Sequence, residues 1–179
     1  MNTDTEKWIY KNNCKEDIRY VLGTKGDNPL ICFGVNPSTA TPDTLDNTIK
    51  SVERLTLYNN FDSWIMLNLY PQRSTLINNL DKTLSIEKHK NNLDSIEELL
   101  TTIKSPTIWA AWGTLIRKRP YLTECLSDIY SISSKYNCNW ITIGKKSKAE
   151  GHPHHPLYLN SKTTKEHFDI VGYLKKYVA

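Results

Sequence analysis

The chain has 179 residues, a formal net charge of +4 at pH 7, 39% hydrophobic and 23% charged residues. That length suggests one domain able to bury about two-thirds of its unfolded surface without a disulfide or metal staple. With a mean hydropathy of -0.53, the composition excludes a membrane-spanning chain and a wholly disordered one. The mild basicity permits a nucleic-acid partner without demanding one. Five Trp and ten Tyr are the odder feature, since aromatic rings stack on bases as readily as they fill cores.

In chain order, Ile18-Arg19-Tyr20-Val21-Leu22 reads as a strand, followed by the turn-like G-T-K-G-D-N-P and a hairpin into Leu30–Val35. That second apolar run is a covered central strand, and it stops at the polar loop Asn36–Asp46. Thr48–Leu57 carries Ile49, Val52 and Leu55 at helical spacing. Trp64–Tyr70 is the next strand, ended by Pro71. Residues Gln72–His89 read as a long polar loop of the kind that serves a site. Asn91–Ile103 is a helix with Leu93, Ile96, Leu99, Leu100 and Ile103 on one face.

Thr107–Gly113 is a further short strand, and Leu115–Ile132 a helix with Pro120 at a start or kink. Trp140–Gly144 is the last central strand. A final helix is expected near Thr163, where T-T-K-E fits a capping box and Phe168, Val171, Leu174 and Val178 supply the buried stripe. Alternating strands and helices imply parallel strands joined by right-handed crossovers. The expected fold is therefore α/β, a three-layer αβα sandwich around a mostly parallel four-stranded sheet. An N-terminal hairpin or edge strand is added to it, and residues 1–179 form one domain.

Cys14, Cys32, Cys125 and Cys138 are far apart and form no CxxC pair. The start M-N-T-D-T-E-K-W-I-Y lacks the apolar core of a signal peptide, and a reduced, cytoplasmic protein is expected. No membrane partner is expected. No motif calls for a cofactor.

The polar punctuation falls at strand ends: Gly34-Val35-Asn36-Pro37-Ser38-Thr39-Ala40, Asn68-Leu69-Tyr70-Pro71, Trp112-Gly113 and His152-Pro153-His154-His155-Pro156. In an open parallel sheet these lie together at the carboxyl edge, where ligands bind. Asn36 either satisfies backbone groups in its turn or orients a water or polar ligand. Ser38 and Thr39 could cap a helix or meet phosphate, but the loop has neither the glycines nor the G-K-S/T ending of a Walker loop. Asn68 must pair both its donor and its acceptor, with backbone or with a pyrimidine edge. Phe61 and Tyr70 are stacking faces or core. Arg73 is a phosphate contact or a surface residue, as are Lys145, Lys146 and Lys148. Three imidazoles within four residues invite a metal reading, but the prolines limit their convergence and no metal site is assigned.

At these motifs the sequence resembles the DUF1643 family, placed in the uracil-DNA glycosylase-like superfamily. The resemblance runs from about Tyr20 to Leu159, through F-G-V-N-P-S-T-A, L-N-L-Y-P-Q-R-S-T, A-A-W-G and G-H-P-H-H-P-L-Y-L. It implies a four-stranded parallel sheet with a flipped base held at its carboxyl edge. Gly34-Val35-Asn36-Pro37-Ser38 looks like the superfamily's first motif, with Asn36 positioning the water where some members carry Asp. Asn68 matches the residue that reads the base. His152, or alternatively His155, matches the histidine that supports the departing base.

The resemblance implies a nucleobase- or nucleotide-binding domain that hydrolyses an N-glycosidic bond, with nucleic acid or nucleotide as partner. A non-catalytic binder, a metal-dependent hydrolase using the histidines and a protein-interaction domain are the competing readings.

Overall fold

The computed structural model describes residues 6–146 and 150–178. Seven strands form one mixed sheet: β1 (Trp8–Asn12), β2 (Arg19–Thr24), β3 (Pro29–Gly34), β4 (Ser63–Asn68), β5 (Thr107–Ala110), β6 (Asn139–Ile143) and β7 (Lys165–His167). Their spatial order is β1-β2-β4-β3-β5-β6-β7. The inner four, β4-β3-β5-β6, are mutually parallel, while β1, β2 and β7 pair antiparallel at the flanks. Four helices accompany them: α1 (Asn47–Tyr58), α2 (Ile86–Thr101), α3 (Tyr121–Ser133) and α4 (Ile170–Tyr177).

Period-two alternation sends each inner strand's side chains to two separate cores. Leu30 and Cys32 of β3, Trp64 and Met66 of β4 and Trp109 of β5 meet Ile49, Val52 and Leu55 of α1 on one face. Ile31, Phe33, Ile65, Leu67 and Ile108 point the other way, to Ile96 and Leu100 of α2, Ile129 of α3 and Tyr173 of α4. Strands buried on both sides read as continuous apolar runs, which is why they stand out in the sequence.

Where the chain goes from β3 through α1 it moves to β4 on one side; from β4 onward it moves through α2 to β5 on the other. Right-handed crossovers then place α1 and α2 on opposite faces. The direction reverses between β3 and β5, so their carboxyl ends feed chains that diverge and leave a crevice.

Several expectations are corrected. The turn after Thr24 does not close a hairpin into β3, because β4 lies between β2 and β3. The Asp62 carboxylate just before β4 accepts from Asp27 N at 2.9 Å and from Asn28 N at 3.0 Å, fixing the crossing. The hairpin is instead β1–β2. The helix expected from Asn91 begins at Ile86, capped by Ser85. Its first turns are polar, and His89 and Asn92 are buried against Asp128 and the Asn68 carbonyl. The helix expected from Leu115 is split, with a 3₁₀ segment Gly113–Lys118 before α3 and Pro120 as N-cap.

At Thr163 no helix starts. Lys165–His167 pairs with the otherwise open edge of β6, and Asn59 Oδ1 accepts from Lys165 N at 2.7 Å. The helix begins at Ile170 under an Asp169 cap. Its buried residues are Ile170 and Tyr173, whereas Val171 and Val178 are exposed.

Gly23 shows how tightly β2 lies on β4: a Cβ there would come within 2.6 Å of the Trp64 carbonyl oxygen and 2.8 Å of Ile65 Cα. Backbone cannot step aside as a side-chain tip can. Gly23→Ala is therefore expected to cost about 1–3 kcal/mol, read as a lower urea midpoint at unchanged m-value.

Candidate functional site

The crevice between β3 and β5 opens into a cavity of about 190 Å³. Its floor is the end of β3, Gly34, Val35 and Asn36; Met66 and Ile49 supply the apolar side. Asp46 and Thr48 enter from the start of α1, Ser74 and Thr75 from the loop after β4, and Leu115 and His155 from beyond β5 and β6. At Leu115 and His155 it adjoins a cavity of about 230 Å³ that includes Gly113, His152, His154 and Tyr158. At Ser38, Ser74 and Thr75 it adjoins a third, of about 310 Å³, with Thr39 and Arg73. The three form one furrow across the carboxyl edge.

Asn36 is anchored by its amide nitrogen. Nδ2 donates to the Pro37 and Ser74 carbonyls, both at 2.9 Å, and reaches the Gln72 carbonyl at 3.5 Å. With the donors spent on two loops, Oδ1 is left as the acceptor that a cleft ligand can use. Pro37 is buried beneath it, and its carbonyl also accepts from Ser74 N at 2.9 Å.

Asn68 ends β4 opposite Gly34 and is 1% exposed. Neither Nδ2 nor Oδ1 has a hydrogen-bond partner among the described residues. A Cβ at Gly34 would lie 3.1 Å from Asn68 Oδ1 and 2.7 Å from Met66 Cε. The carboxamide therefore sits directly behind the cleft floor.

The two histidines separate. His152 is 1% exposed, stacked on Tyr177 at 4.8 Å, with Nδ1 2.7 Å from the Tyr173 hydroxyl and Nε2 3.1 Å from Glu150. The Tyr173 hydroxyl accepts from Trp112 Nε1 at 3.1 Å and bonds His152 Nδ1, and Nε2 stands beside the Glu150 carboxylate as an ion-pair contact. His152 is held in an aromatic box. His155 faces the cleft; its Nδ1 accepts from Leu157 N at 3.2 Å, which assigns the proton to Nε2. Burial holds His155 below its ordinary value, with Asp46 opposing. His154 lines the neighbouring cavity, and among the described residues no three His, Cys, Asp or Glu are grouped to hold a metal.

Other expected positions lie elsewhere. Phe61 precedes β4, at the amino end of the sheet, under Lys165 Nζ at 5.4 Å. Tyr70 is wholly buried on the α2 side, donating to Asp81 at 2.6 Å and packed on Tyr121 at 5.1 Å. Neither reaches the cleft, because each is drawn into packing. Lys145 is exposed, and Lys146 lies 5.8 Å over the Phe168 ring. Lys148 lies outside the described residues. Arg73 does stand at the furrow, donating to the Ser38 carbonyl at 2.6 Å and the Tyr10 hydroxyl at 2.7 Å.

Arg19 was not expected here. It opens β2, which runs antiparallel to β4, so its start lies at the carboxyl edge, where Arg19 N donates to the Pro71 carbonyl at 3.0 Å. Lys11 pairs with Val21 and Asn12 with Arg19, leaving Tyr20 as an extra residue. Such a bulge re-aims neighbouring side chains. A lone arginine inside the strand I-R-Y-V-L was the available signal.

The family described as "Protein of unknown function (DUF1643)" matches residues 19–157. The chain belongs to the DUF1643 family. The matched segment contains every residue named on the cleft wall. No curated protein and no solved structure matches the chain. Among the described residues no helix of this DUF1643 protein is long and apolar enough to cross a membrane.

A pH dependence follows. An unfolded histidine takes its proton near pH 6.5, whereas folded His155 resists it to lower pH. Stability is thus unaffected by this group above about pH 6.5 and falls as pH drops through the folded value. His152, lowered by burial against the pull of Glu150, acts in the same sense. In urea midpoints measured between pH 8 and pH 5, His155→Gln is expected to flatten the acid-side decline; an unchanged slope would contradict the assignment.

Proposed function

We propose that the cleft binds a nucleobase or nucleotide and hydrolyses its N-glycosidic bond, as the resemblance to the uracil-DNA glycosylase-like superfamily implies. The observation that carries this reading is the pairing of Asn36 and His155 across one cleft, with Asn36 Oδ1 left as an acceptor and the His155 proton assigned to Nε2. Asn36 Oδ1 holds a water against the sugar C1′. As the C1′–N bond breaks, its electron pair leaves with the base, and the oxocarbenium-like sugar gains a bond to the water oxygen. His155 Nε2–H donates to a base oxygen and supports the charge gathering there; the histidine keeps its proton. The water's proton passes to Asp46, the carboxylate on the cleft wall.

Asn68 supports the same reading. Its donor and acceptor, unpaired among the described residues, match a pyrimidine edge in kind, from a position behind the cleft floor rather than on the cavity lining. A carboxamide left unpaired in a core costs stability, so its presence calls for a reason outside the fold.

A second reading, binding without turnover, is favoured by Asn36 itself. A carboxamide cannot accept the water's proton, and this one is anchored by its nitrogen in loop structure.

Single- and double-stranded oligonucleotides carrying uracil or other modified bases separate these readings. Base release is expected from the native protein, with a loss of about 100-fold or more in Asn36→Ala. Asn68→Leu is expected to abolish base binding while stability, read from the urea midpoint, holds or rises by about 1 kcal/mol. Binding lost in Asn68→Leu without any turnover by the native protein supports the second reading. Neither release nor Asn68-dependent binding defeats both.

A further inference from the structure

We propose that Arg19 forms the base of an anion-binding subsite in this cleft, suited to the phosphate group of a nucleotide. The nucleotide half of the statement rests on the function proposed above; the anion site rests on Arg19.

The residue is 2% exposed and lines the cavity. Nη1 donates to the Ala40 carbonyl at 3.0 Å, and Nε has no partner among the described residues. A second guanidinium, Arg73, converges on the same carbonyl, with Nη1 at 3.3 Å and its own Nε unpartnered. Two cations meeting at one carbonyl in a buried place are held against repulsion and desolvation. That strain lowers the Arg19 value to about 10, burial first and Arg73 second.

Asp46 is the carboxylate that opposes it on the cleft, and Glu16 stands beside Arg73 in the adjoining cavity. Asp46 already accepts from Ile49 N at 2.9 Å as the α1 cap. His155, the remaining titratable group on the wall, is discouraged from carrying charge by burial.

Three features make the position suit an anion. The bulge at Tyr20 aims Arg19 into the cavity. The first turn of the 12-residue helix α1 enters the same cavity through Thr48 and holds no acidic residue. Ser38 and Thr75 bring hydroxyls to the shared wall with Arg73, while the Ser74 hydroxyl is spent on the Leu76 carbonyl at 2.6 Å. A phosphate has several acceptor oxygens, enough for a guanidinium and hydroxyls together. The mononucleotide and the nucleic-acid backbone both carry that group.

Thermal unfolding of the full chain in inorganic phosphate, against chloride at equal ionic strength, reads the site directly. Phosphate is expected to raise the unfolding temperature, and Arg19→Gln to weaken the apparent affinity tenfold or so. Thr48→Asp, which places a carboxylate where helix starts favour one, keeps the fold and is expected to abolish the phosphate effect even if Arg19→Gln does not fold. No phosphate effect in the native protein, or equal effects in native, Arg19→Gln and Thr48→Asp proteins, overturns the proposal.

Deoxyuridine, its monophosphate and a short oligonucleotide form the second arm. Tighter binding of the monophosphate than of the nucleoside, lost in Arg19→Gln, supports both halves; a further gain with the oligonucleotide identifies the backbone as the source. An Arg19-dependent phosphate effect with no gain for the monophosphate upholds the anion site and defeats the nucleotide reading.

Discussion

Everything at the carboxyl edge depends on the parallel pairing of β3 with β4 being carried past the strands into their loops. Leu69 N donates to the Gly34 carbonyl, Tyr70 N to Val35 and Ser74 N to Pro37, each at 2.9 Å. The Asn36 amide closes the series onto the Ser74 carbonyl. Loops joined in this way move as one body, so the wall that holds Asn36 also holds Ser74 and Thr75. Pro37 removes one backbone donor and restrains its own φ, leaving the side chain of Asn36 to make the tie. The other wall carries one such bond, from Ala111 N to the Phe33 carbonyl at 3.0 Å, before β5 sends its chain toward the opposite face. A crevice with one braced wall is the physical outcome of reversing the strand order between β3 and β5.

The polar groups near that crevice divide by how their hydrogen-bonding capacity is used. Trp112, Tyr173 and His152 are joined by hydrogen bonds in a chain that reaches the Glu150 carboxylate, which makes them part of the fold's rigidity. Asn68 and Arg19 keep buried polar atoms without partners among the described residues. Native cores rarely leave such atoms unmatched, because each costs about 1–3 kcal/mol. Thr56 Oγ1, Trp109 Nε1 and Thr142 Oγ1 are further such atoms elsewhere in the core, while Asn68 behind the cleft floor and Arg19 on its wall put two of these residues on adjoining strands beside one cavity. Beside a crevice such groups are open to a ligand, and their placement is what the proposed binding function draws on.

The inner sheet was legible because strands covered on both faces must be apolar throughout, and the runs at Leu30, Trp64, Ile108 and Trp140 are. Asn36 and His155 were legible because polar residues punctuate those runs. The flanks were harder, since their pairing is decided at long range. Nothing local in Gly23 or Arg19 says that β4 inserts between β2 and β3. At Thr163 the capping signal was real chemistry outcompeted by the open edge of β6. Phe61 and Tyr70 could not be placed from composition, because a ring beside a strand serves packing or stacking with the same residue types. His152 and His155 are three residues apart in the sequence pattern H-P-H-H. Which one faces the cleft is settled by the aromatic box of α4, an element whose start the sequence misplaced.

The charge on the cleft bears on how its chemistry could proceed. Its cations, Arg19 and Arg73, are fixed by carbonyls; its wall carboxylate, Asp46, is tied to a helix start; and its histidine is discouraged from protonating. A site built in this way does not rely on a strong base. It offers fixed dipoles and charges aimed into a crevice whose floor is apolar on one side, at Met66 and Ile49. Electrostatic support is strongest where water is scarce and the groups need not reorganise. Under the proposed function an N-glycosidic bond suits such a site, because its cleavage builds opposite charges on the sugar and the base and leaves one water proton for Asp46 to take. The +4 charge of the whole chain, too small to argue for nucleic acid by itself, matters less than two arginines that the fold has brought to one carbonyl.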